Sequence, residues 1–376
     1  GSSESALKIN FEEEFTNSLP AGEYEFIYNV TDANNRESSL TRTLRITDAS
    51  LALNEVNDYD VWAKEATISA DVLQDDYGNA TFQYRQSGSA SWINVAPSVD
   101  MTAKLTGLTP GADYEYRIIS DKDNFESDVK TFTTEAALQL PNSGFEEWNT
   151  SSKAWLLCSD ESSMFWDSGN HGSSTMKKNI SQPDDAIKHS GNYSIKMESQ
   201  FVGIGAAGKF AAGNAFIGKY LKTDGTDGIL GWGRPFASRP KALRGYVKYN
   251  PELVQSKEAC DYIKEGDMDQ GIIYIAVLDA TKSGDSDYPD WPVVIRTKTE
   301  KLFNKDGNNV IAYGEKVFTS ATAGDGLIEF EIPLNYKKTN EKAVNIMITM
   351  SASRYGDYFA GGRGSTMWVD DLELVY

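Results

Sequence analysis

Three segments of the sequence combine aromatic rings with amide, carboxylate or guanidinium side chains outside any clear hydrophobic periodicity. They are Trp155 with residues 165–170, residues 232–239 and residues 354–359. Aromatic rings stack on the apolar face of a pyranose, and planar polar groups pair with its hydroxyls. A lone tryptophan is usually a core residue, but flanking Gly, Asp, Asn and Arg favour a pocket. The side chains predicted to line this saccharide pocket are Trp155, Trp166, Asn170, Trp232, Arg234, Arg239, Arg354, Tyr355 and Tyr358.

Two aspartates of these segments, Asp167 and Asp357, are candidates for hydrolysis of a glycosidic bond. Glycosidases use two carboxyl groups, about 5–5.5 Å apart in retaining enzymes and farther apart in inverting ones. No E-x-D-x-x-E strand is present, and Glu329 and Glu331 have the spacing of a solvated strand face. Carboxylates from separate loops could still meet. Binding, hydrolysis and a purely structural or adhesive role therefore stay open as alternatives.

Two segments near the ends of the C-terminal region carry further carboxylates. Residues 142–148 read N-x-G-F-E-x-W and residues 368–374 read W-x-D-D-x-x-L. They resemble the first and last strands of jelly-roll carbohydrate-binding modules, and the resemblance implies a structural calcium held by Glu146, Asp370 and Asp371. The alternative is hydrogen bonding to backbone amides, because a half-buried carboxylate without any partner is costly.

The elements that must position these residues are strands. Apolar and polar residues alternate in residues 68–72, 114–118, 328–332 and 344–350, and Gly, Asn, Asp and Pro clusters separate such runs. Alternation in short segments predicts antiparallel sheets packed as sandwiches. The predicted fold is all-β, with an N-terminal immunoglobulin-like β-sandwich region followed by a larger C-terminal jelly roll. On the closing strand, alternation places Asp370 on the face of Trp368, Leu372 and Leu374.

Three regions follow from this pattern. Residues 1–49 resemble part of an immunoglobulin-like domain, either docked on the next domain or degenerate. Residues 50–136 resemble a fibronectin type III module, because residues 105–114 match its corner, in which a buried tyrosine, here Tyr114, hydrogen-bonds back across the turn. Residues 137–376 are predicted to form the jelly-roll domain, which is similar to carbohydrate-binding modules.

Several stretches of the C-terminal region also resemble one specific family. They are residues 142–148, 166–170, 233–246 and 353–357 together with 369–372. They are similar to the putative carbohydrate metabolism domain found in proteins of glycan-degrading gut bacteria. The resemblance implies a bacterial exported protein that takes part in carbohydrate metabolism at an extracellular, cell-surface or periplasmic location, with a lipid anchor in the precursor. The family supplies no catalytic residue to transfer to this sequence.

The composition of the chain limits the classes of partner that it can bind. The formal net charge is −19, which argues against binding to a phosphate backbone. No apolar run approaches the roughly 20 residues that span a bilayer, so no transmembrane segment is predicted. The two cysteines, Cys158 and Cys260, are predicted either as small buried side chains or as a disulfide. Two histidines cannot supply a three-histidine metal site.

Overall fold

The computed structural model describes residues 22–31, 34–46, 49–204, 208–256 and 260–376. Within these ranges, contacts divide the chain into two compact units whose segments alternate along the sequence. The first unit takes the described residues up to Glu55 with Ile68–Ala103 and Glu115–Lys130, and the second takes Val56–Thr67, Lys104–Tyr114 and Thr131–Tyr376. No helix in the described ranges has the length and apolar character needed to cross a membrane.

Nine strands precede the C-terminal region. They are β1 (Gly22–Thr31), β2 (Glu37–Ile46), β3 (Leu51–Leu53), β4 (Glu65–Val72), β5 (Ala80–Gln86), β6 (Ile93–Val95), β7 (Thr102–Thr106), β8 (Asp113–Ser120) and β9 (Lys130–Thr133). Strands β1 and β2 pair with each other as an antiparallel hairpin. The remaining strands form a three-stranded sheet in the order β3-β4-β7 and a four-stranded sheet in the order β6-β5-β8-β9.

The turn before β8 is fixed by Tyr114. Its hydroxyl accepts a hydrogen bond from the amide of Thr109 at 2.9 Å, and its ring stacks on Phe132 with centroids 5.5 Å apart. A buried phenol needs a partner for its hydroxyl, and here the partner is the backbone five residues upstream. The predicted back-bond across the turn is present. The division into domains at residues 49 and 136 stays a prediction.

The C-terminal region is built almost entirely from strands. They are β10 (Trp166–Ser168), β11 (Ser181–Asp184), β12 (Ser194–Glu198), β13 (Gln200–Val202), β14 (Lys209–Ala211), β15 (Asn214–Asp224), β16 (Asp227–Trp232), β17 (Arg234–Pro235), β18 (Ala242–Asn250), β19 (Gly271–Leu278), β20 (Val293–Arg296), β21 (Val310–Phe318), β22 (Ile328–Pro333), β23 (Asn335–Tyr336), β24 (Asn345–Ser351) and β25 (Thr366–Val375). The described helical segments are short. They are α1 (Asn170–Ser173) and 3-10 turns at Asp58–Asp60, Lys122–Asn124, Glu161–Ser163, Ser174–Met176, Thr297–Thr299 and Gly356–Tyr358.

Two antiparallel sheets enclose the main core of this region. The larger sheet follows the order β20-β16-β15-β24-β19-β21-β23, with β10 also pairing with β15 and β17 with β24, and the smaller follows β11-β12-β25-β18-β22. Strands β13 and β14 form a separate hairpin. Ile273, Ile348 and Val369 are among the completely buried residues between the sheets. The all-β prediction is confirmed.

A bulge in β25 corrects one sequence-based assignment. Asp371 has a positive φ of 46°, and the pairing of β25 with β18 shifts register between Arg244 and Tyr246. An extra residue reverses the alternation of faces beyond it. Leu372 and Leu374 therefore join Val369 in the core, and they do not share the face of Asp370 as simple alternation predicts.

Candidate functional site

The outer face of the large sheet carries two rows of side chains that strand register brings together. Phe216 on β15 lies opposite Thr349 on β24, which lies opposite Tyr274 on β19. The second row lies two residues away from the first along each strand. It consists of Asn214, Ser351 and Ile272. All six line one cleft.

The neighbouring residues on the same strands explain why these six side chains point outward. Ala215, Ile273, Ile275, Ile348 and Met350 are fully buried in the core between the two sheets. Successive side chains of a strand point to opposite faces. These five apolar residues are thus held inside, and the six intervening side chains face the cleft.

Trp232, at the end of β16, adds a third ring to this lining, and both Trp232 and Phe216 are almost fully buried in a hydrophobic cluster. Its ring centroid lies 5.8 Å from that of Phe216 and 6.3 Å from that of Tyr274. The indole Nε1 is buried and has no hydrogen-bond partner among the described residues. Because a buried indole N–H normally has an acceptor, a ligand or a water molecule is the natural partner for this group.

Loops enclose these side chains in a cleft of about 600 Å³. Its walls include residues of the segments 169–176, 202–204, 209–212, 223–228 and 353–359. This volume lies within the range of roughly 300–1,000 Å³ that is typical of small-molecule sites. The cleft is large enough for a ligand of one or a few sugar residues.

Asp357 is the acidic residue that lines this cleft among the described residues. Burial raises the pKa of its carboxyl to about 6. None of the described residues forms a hydrogen bond or an ion pair with this carboxyl group. The Asp357 side chain is half-buried, and an ionisable group in a cleft with a shifted pKa is a candidate functional residue.

The loop that carries Asp357 is fixed from beneath by Asp269. The buried Asp269 carboxylate accepts hydrogen bonds from Ser353 Oγ at 2.6 Å and from the amide of Gly362 at 2.8 Å. Gly356 packs so closely on Ala212 that a Cβ at that position would lie 2.3 Å from the Ala212 Cβ. These contacts hold residues 353–362 in one position against the sheet.

Two cationic side chains also line the cleft. Arg354 Nη1 donates to Gln270 Oε1 at 3.3 Å. Lys209 Nζ lies 3.3 Å from Asp227 Oδ2 and 3.9 Å from the centroid of the Phe359 ring. The cleft therefore offers guanidinium and ammonium donors beside the Asp357 carboxyl.

A smaller recess of about 220 Å³ adjoins the cleft and shares Lys209, Asp357 and Phe359 with it. Tyr358 and Asp227 complete part of its lining. The Asp227 carboxylate accepts hydrogen bonds from Thr226 Oγ1, at 3.1 Å, and from the neighbouring Lys209. Asp227 and Glu300 thus add two further carboxyl groups to the recess that Asp357 also lines.

Comparison with known proteins identifies the region that contains this cleft. Residues 144–375 match the family model of the putative carbohydrate metabolism domain. The chain belongs to this family. No curated protein matches the chain.

Solved structures show weaker similarity to the chain. A putative glycoside hydrolase from Bacteroides thetaiotaomicron VPI-5482 is 18% identical, with a TM-score of 0.47 over 88% of this chain and 98% of that one. A putative glycoside hydrolase from Bacteroides vulgatus ATCC 8482 is 22% identical, with a TM-score of 0.44 over 62% and 96%. A carbohydrate-binding module of the β-sandwich superfamily is 11% identical, with a TM-score of 0.26 over 88% and 100%.

Within the carbohydrate metabolism domain, only part of the sequence-predicted pocket comes together. Trp232, Arg354 and Asp357 line the cleft, and Tyr358 lines the adjoining recess. Tyr355 lies outside both linings and stacks on Tyr262 with ring centroids 5.6 Å apart.

The predicted residues of the segment 155–170 are placed elsewhere. Trp166 is fully buried in the core and its Nε1 donates to the carbonyl of Pro141 at 2.8 Å. The Asn170 side chain is also buried and bonds to both the amide and the carbonyl of Ser181. The Trp155 backbone accepts a further bond from Asn170. None of the three lines the cleft.

Asp167 supports the wall of the cleft and does not face its interior. Its buried carboxylate accepts a hydrogen bond from the amide of Tyr220 at 2.7 Å and lies 3.2 Å from His171 Nε2. Burial lowers the pKa of His171, but the hydrogen bond and the charge of Asp167 outweigh that effect and raise it. The Tyr220 ring, which does line the cleft, stacks on His171.

Both arginines of the segment 232–239 also lie outside the cleft lining. Arg234 Nη2 donates to the carbonyl of Gly218 at 3.1 Å, and burial lowers the pKa of its guanidinium. Arg239 is fully buried. It donates to Glu135 at 2.9 Å and to the carbonyls of Tyr59 and Val61, so its role in this structure is to join segments of the second unit.

The three predicted calcium ligands make hydrogen bonds with the turn at residues 189–193. Glu146 accepts from the amides of Asn192 and Tyr193 at 2.9–3.1 Å. Asp370 accepts from the amides of His189 and Ser190, and Asp371 Oδ2 lies 2.7 Å from His189 Nδ1.

Backbone amides thus satisfy carboxylate oxygens of Glu146 and Asp370 in this structure. The described residues contain no cluster of three His, Cys, Asp or Glu side chains that could hold a metal ion. The arrangement matches the alternative of amide-bound carboxylates, and calcium binding stays a prediction.

Both cysteines are buried and free. Cys158 packs beside Leu156 and Met164, and Cys260 packs in another cluster with Val254 and Ile263. Burial raises the pKa of the Cys158 thiol, as do nearby carboxylates. Both cysteines therefore act as small apolar side chains in this structure.

The main residues that sequence reasoning missed lie on strands. Phe216, Tyr274, Thr349 and Ser351 lie within strands rich in apolar residues, whereas the pocket was predicted from segments without strand periodicity. Tyr274, between Ile273 and Ile275, carried a usable signal, because a tyrosine that alternates with core residues must face away from the core.

Proposed function

We propose that the cleft on the outer face of the large sheet binds a saccharide. The observation that supports this most strongly is the group of three aromatic rings, Phe216, Trp232 and Tyr274, beside polar side chains in one cleft. Aromatic rings of this kind contact the apolar face of a sugar. The Nε1 of Trp232, which has no partner among the described residues, would donate to a sugar oxygen.

The charged side chains suit a neutral sugar. Arg354 can donate to sugar oxygens, and the ionised form of Asp357 can accept from sugar hydroxyls. An anionic sugar would gain from Arg354 and Lys209 but would meet the Asp357 carboxylate, the Asp227 carboxylate that pairs with Lys209, and the net charge of −19. Neutral hexoses or pentoses satisfy both groups without that repulsion.

A glycan array tests the proposal. Wild-type protein should bind at least one neutral glycan, and Trp232→Ala should remove that binding. Trp155→Ala is the matched control, because Trp155 was also predicted from sequence but lies outside the cleft lining. Equal binding by wild type and Trp232→Ala would exclude the cleft as the site.

Hydrolysis of a glycosidic bond is the second candidate function. The specific observation is that Asp357, with a pKa raised to about 6, and Asp227 line one recess. In this scheme protonated Asp357 gives its proton to the glycosidic oxygen as the C–O bond breaks. Asp227 takes a proton from the water that adds to the sugar carbon.

Release of reducing sugar from a polysaccharide panel separates the two functions. Hydrolysis predicts turnover that Asp357→Asn and Asp227→Asn each abolish, while Asp290→Asn, in the exposed loop before Trp291, remains active. Tight binding without turnover would leave binding as the function. A location outside the cytoplasm and a lipid anchor in the precursor stay predictions, which fractionation of the native host would check.

A further inference from the structure

An exposed aromatic platform lies next to the recess. It consists of Tyr262, Tyr355 and Tyr358. The Tyr262 side chain is 66% exposed, yet its ring is held in place, parallel to that of Tyr355 within 10° at 5.6 Å between centroids. Tyr358 packs against Tyr262 at 5.5 Å with a tilt of 58°.

The base of the platform is a hydrophobic cluster separate from the core between the sheets. Val254, Cys260, Ile263 and Ala360 are buried there, and Tyr355 and Tyr358 pack against them. In addition, the Arg354 guanidinium lies 5.5 Å from the centroid of the Tyr355 ring. An exposed ring fixed by such packing can stack on a ligand with little loss of side-chain entropy.

The platform is continuous with the proposed site. Tyr358 belongs to the platform and also lines the recess, where it is joined by Asp357 and Phe359. Asp357 and Phe359 in turn line the main cleft. A chain of sugars that leaves the cleft through the recess would therefore next meet the Tyr262 ring.

We infer that Tyr262 forms an additional sugar-stacking position, so that the ligand of this domain is a glycan chain of several residues and not a single sugar. The inference rests on the proposed function of the cleft. The chemistry of the partner follows from the platform itself. A large exposed ring favours the flat apolar face of a pyranose and discriminates little between patterns of hydroxyl groups.

Calorimetric titration with neutral gluco-, xylo- and manno-oligosaccharides of one to six residues tests the inference. Wild-type affinity should rise with chain length. Tyr262→Ala should weaken binding of the longest chains about tenfold and leave the shortest bound sugar unaffected. Tyr262→Phe should keep the wild-type behaviour because the ring remains. Tyr193→Ala, an exposed tyrosine outside both linings, is the control.

The outcomes separate the inference from the proposed function. Wild-type affinity that does not depend on chain length, or Tyr262→Ala equal to wild type for every chain, overturns the inference. If Trp232→Ala still abolishes binding in that case, the cleft remains the site. If none of these oligosaccharides binds to the wild type, the inference and the neutral-sugar proposal both fail.

Discussion

The rings of Trp232 and Tyr274 lie 6.3 Å apart, centroid to centroid, at an interplanar angle of 59°. They come from β16 and β19, which are separated in the sheet by β15 and β24. Backbone pairing across four strands, and not a flexible loop, thus sets the spacing of the two rings. A site built in this way is preorganised, because sheet register fixes its side chains before a ligand arrives.

Replacement of Tyr274 tests the contribution of this strand-borne ring. Tyr274→Ala removes a stacking surface, and we expect affinity for the best glycan of the array to fall about tenfold. Tyr274→Phe retains the ring and should stay close to wild type, as titration calorimetry would show. Equal losses in the two variants would mean that the hydroxyl, and not the ring, contacts the ligand.

The pKa of Asp357 predicts how stability depends on pH. Because burial raises its pKa from the ordinary 3.8 to about 6, the folded state binds a proton more tightly than the unfolded state. Asp357 therefore favours the fold at low pH, and this contribution is lost as pH rises from about 4 through 6. Relative to wild type, Asp357→Asn should gain about 1–3 kcal/mol in free energy of unfolding at pH 8, and little at pH 3.5.

Urea denaturation at the two pH values measures this difference. Asp306→Asn is a control for which the expected change in stability at pH 8 has the opposite sign. Lys337 lowers the pKa of the exposed Asp306, so its removal should destabilise the protein slightly at pH 8. A stability difference between wild type and Asp357→Asn that does not change with pH would contradict the assignment.

Arg239 is predicted to contribute to stability and not to ligand binding. Its guanidinium is fully buried with the mostly buried Glu135, and burial raises the pKa of Glu135 despite the nearby charges of Arg239 and Lys342. Arg239→Ala would leave this carboxyl with Lys342, 3.8 Å away, as its remaining cation, and we expect a loss of about 3–5 kcal/mol in free energy of unfolding. Denaturation by urea measures the loss, and Arg244→Ala, at an exposed pair with Glu331, should cost little.

A double variant checks the reason for that loss. Arg239→Met combined with Glu135→Gln removes both charges, so it should be more stable than Arg239→Ala alone. Glycan binding should survive in every variant that still folds. A folded Arg239→Ala protein without glycan binding would instead place this residue in the site, as the sequence predicted.

Chelation tests whether the carboxylates of Glu146, Asp370 and Asp371 bind calcium. Backbone amides already donate to Glu146 and Asp370, so treatment with EDTA should leave the Tm unchanged. Addition of calcium to the treated protein should not raise it. A Tm that falls with EDTA and recovers with calcium would show that the turn at residues 189–193 rearranges around an ion.

Strand alternation explains why the fold was predictable from sequence and much of the site was not. Residues such as Ile346, Ile348 and Met350 repeat at a period of two, which specifies a strand without knowledge of its neighbours. The site depends on which strands pair. The row of Phe216, Thr349 and Tyr274 joins residues up to 133 positions apart, and pairing over such distances is not encoded in local pattern.

The loop residues also show that local sequence does not determine which residues line the site. Trp166 and Trp232 have similar sequence surroundings, rich in Gly and polar residues. Yet Trp166 lies in the core and donates to the Pro141 carbonyl, whereas Trp232 faces the cleft. Residue type and local context predicted that some of these aromatics line a pocket, but only the packing of the sheets determines which.

The most direct test of the central claim is a crystal structure of the protein with the best-bound oligosaccharide of the array. The account predicts a sugar ring in the cleft against Trp232 and Tyr274, with Asp357 or Arg354 hydrogen-bonded to its hydroxyls. A sugar bound at another surface, with the cleft free of it at saturating concentration, would contradict the account.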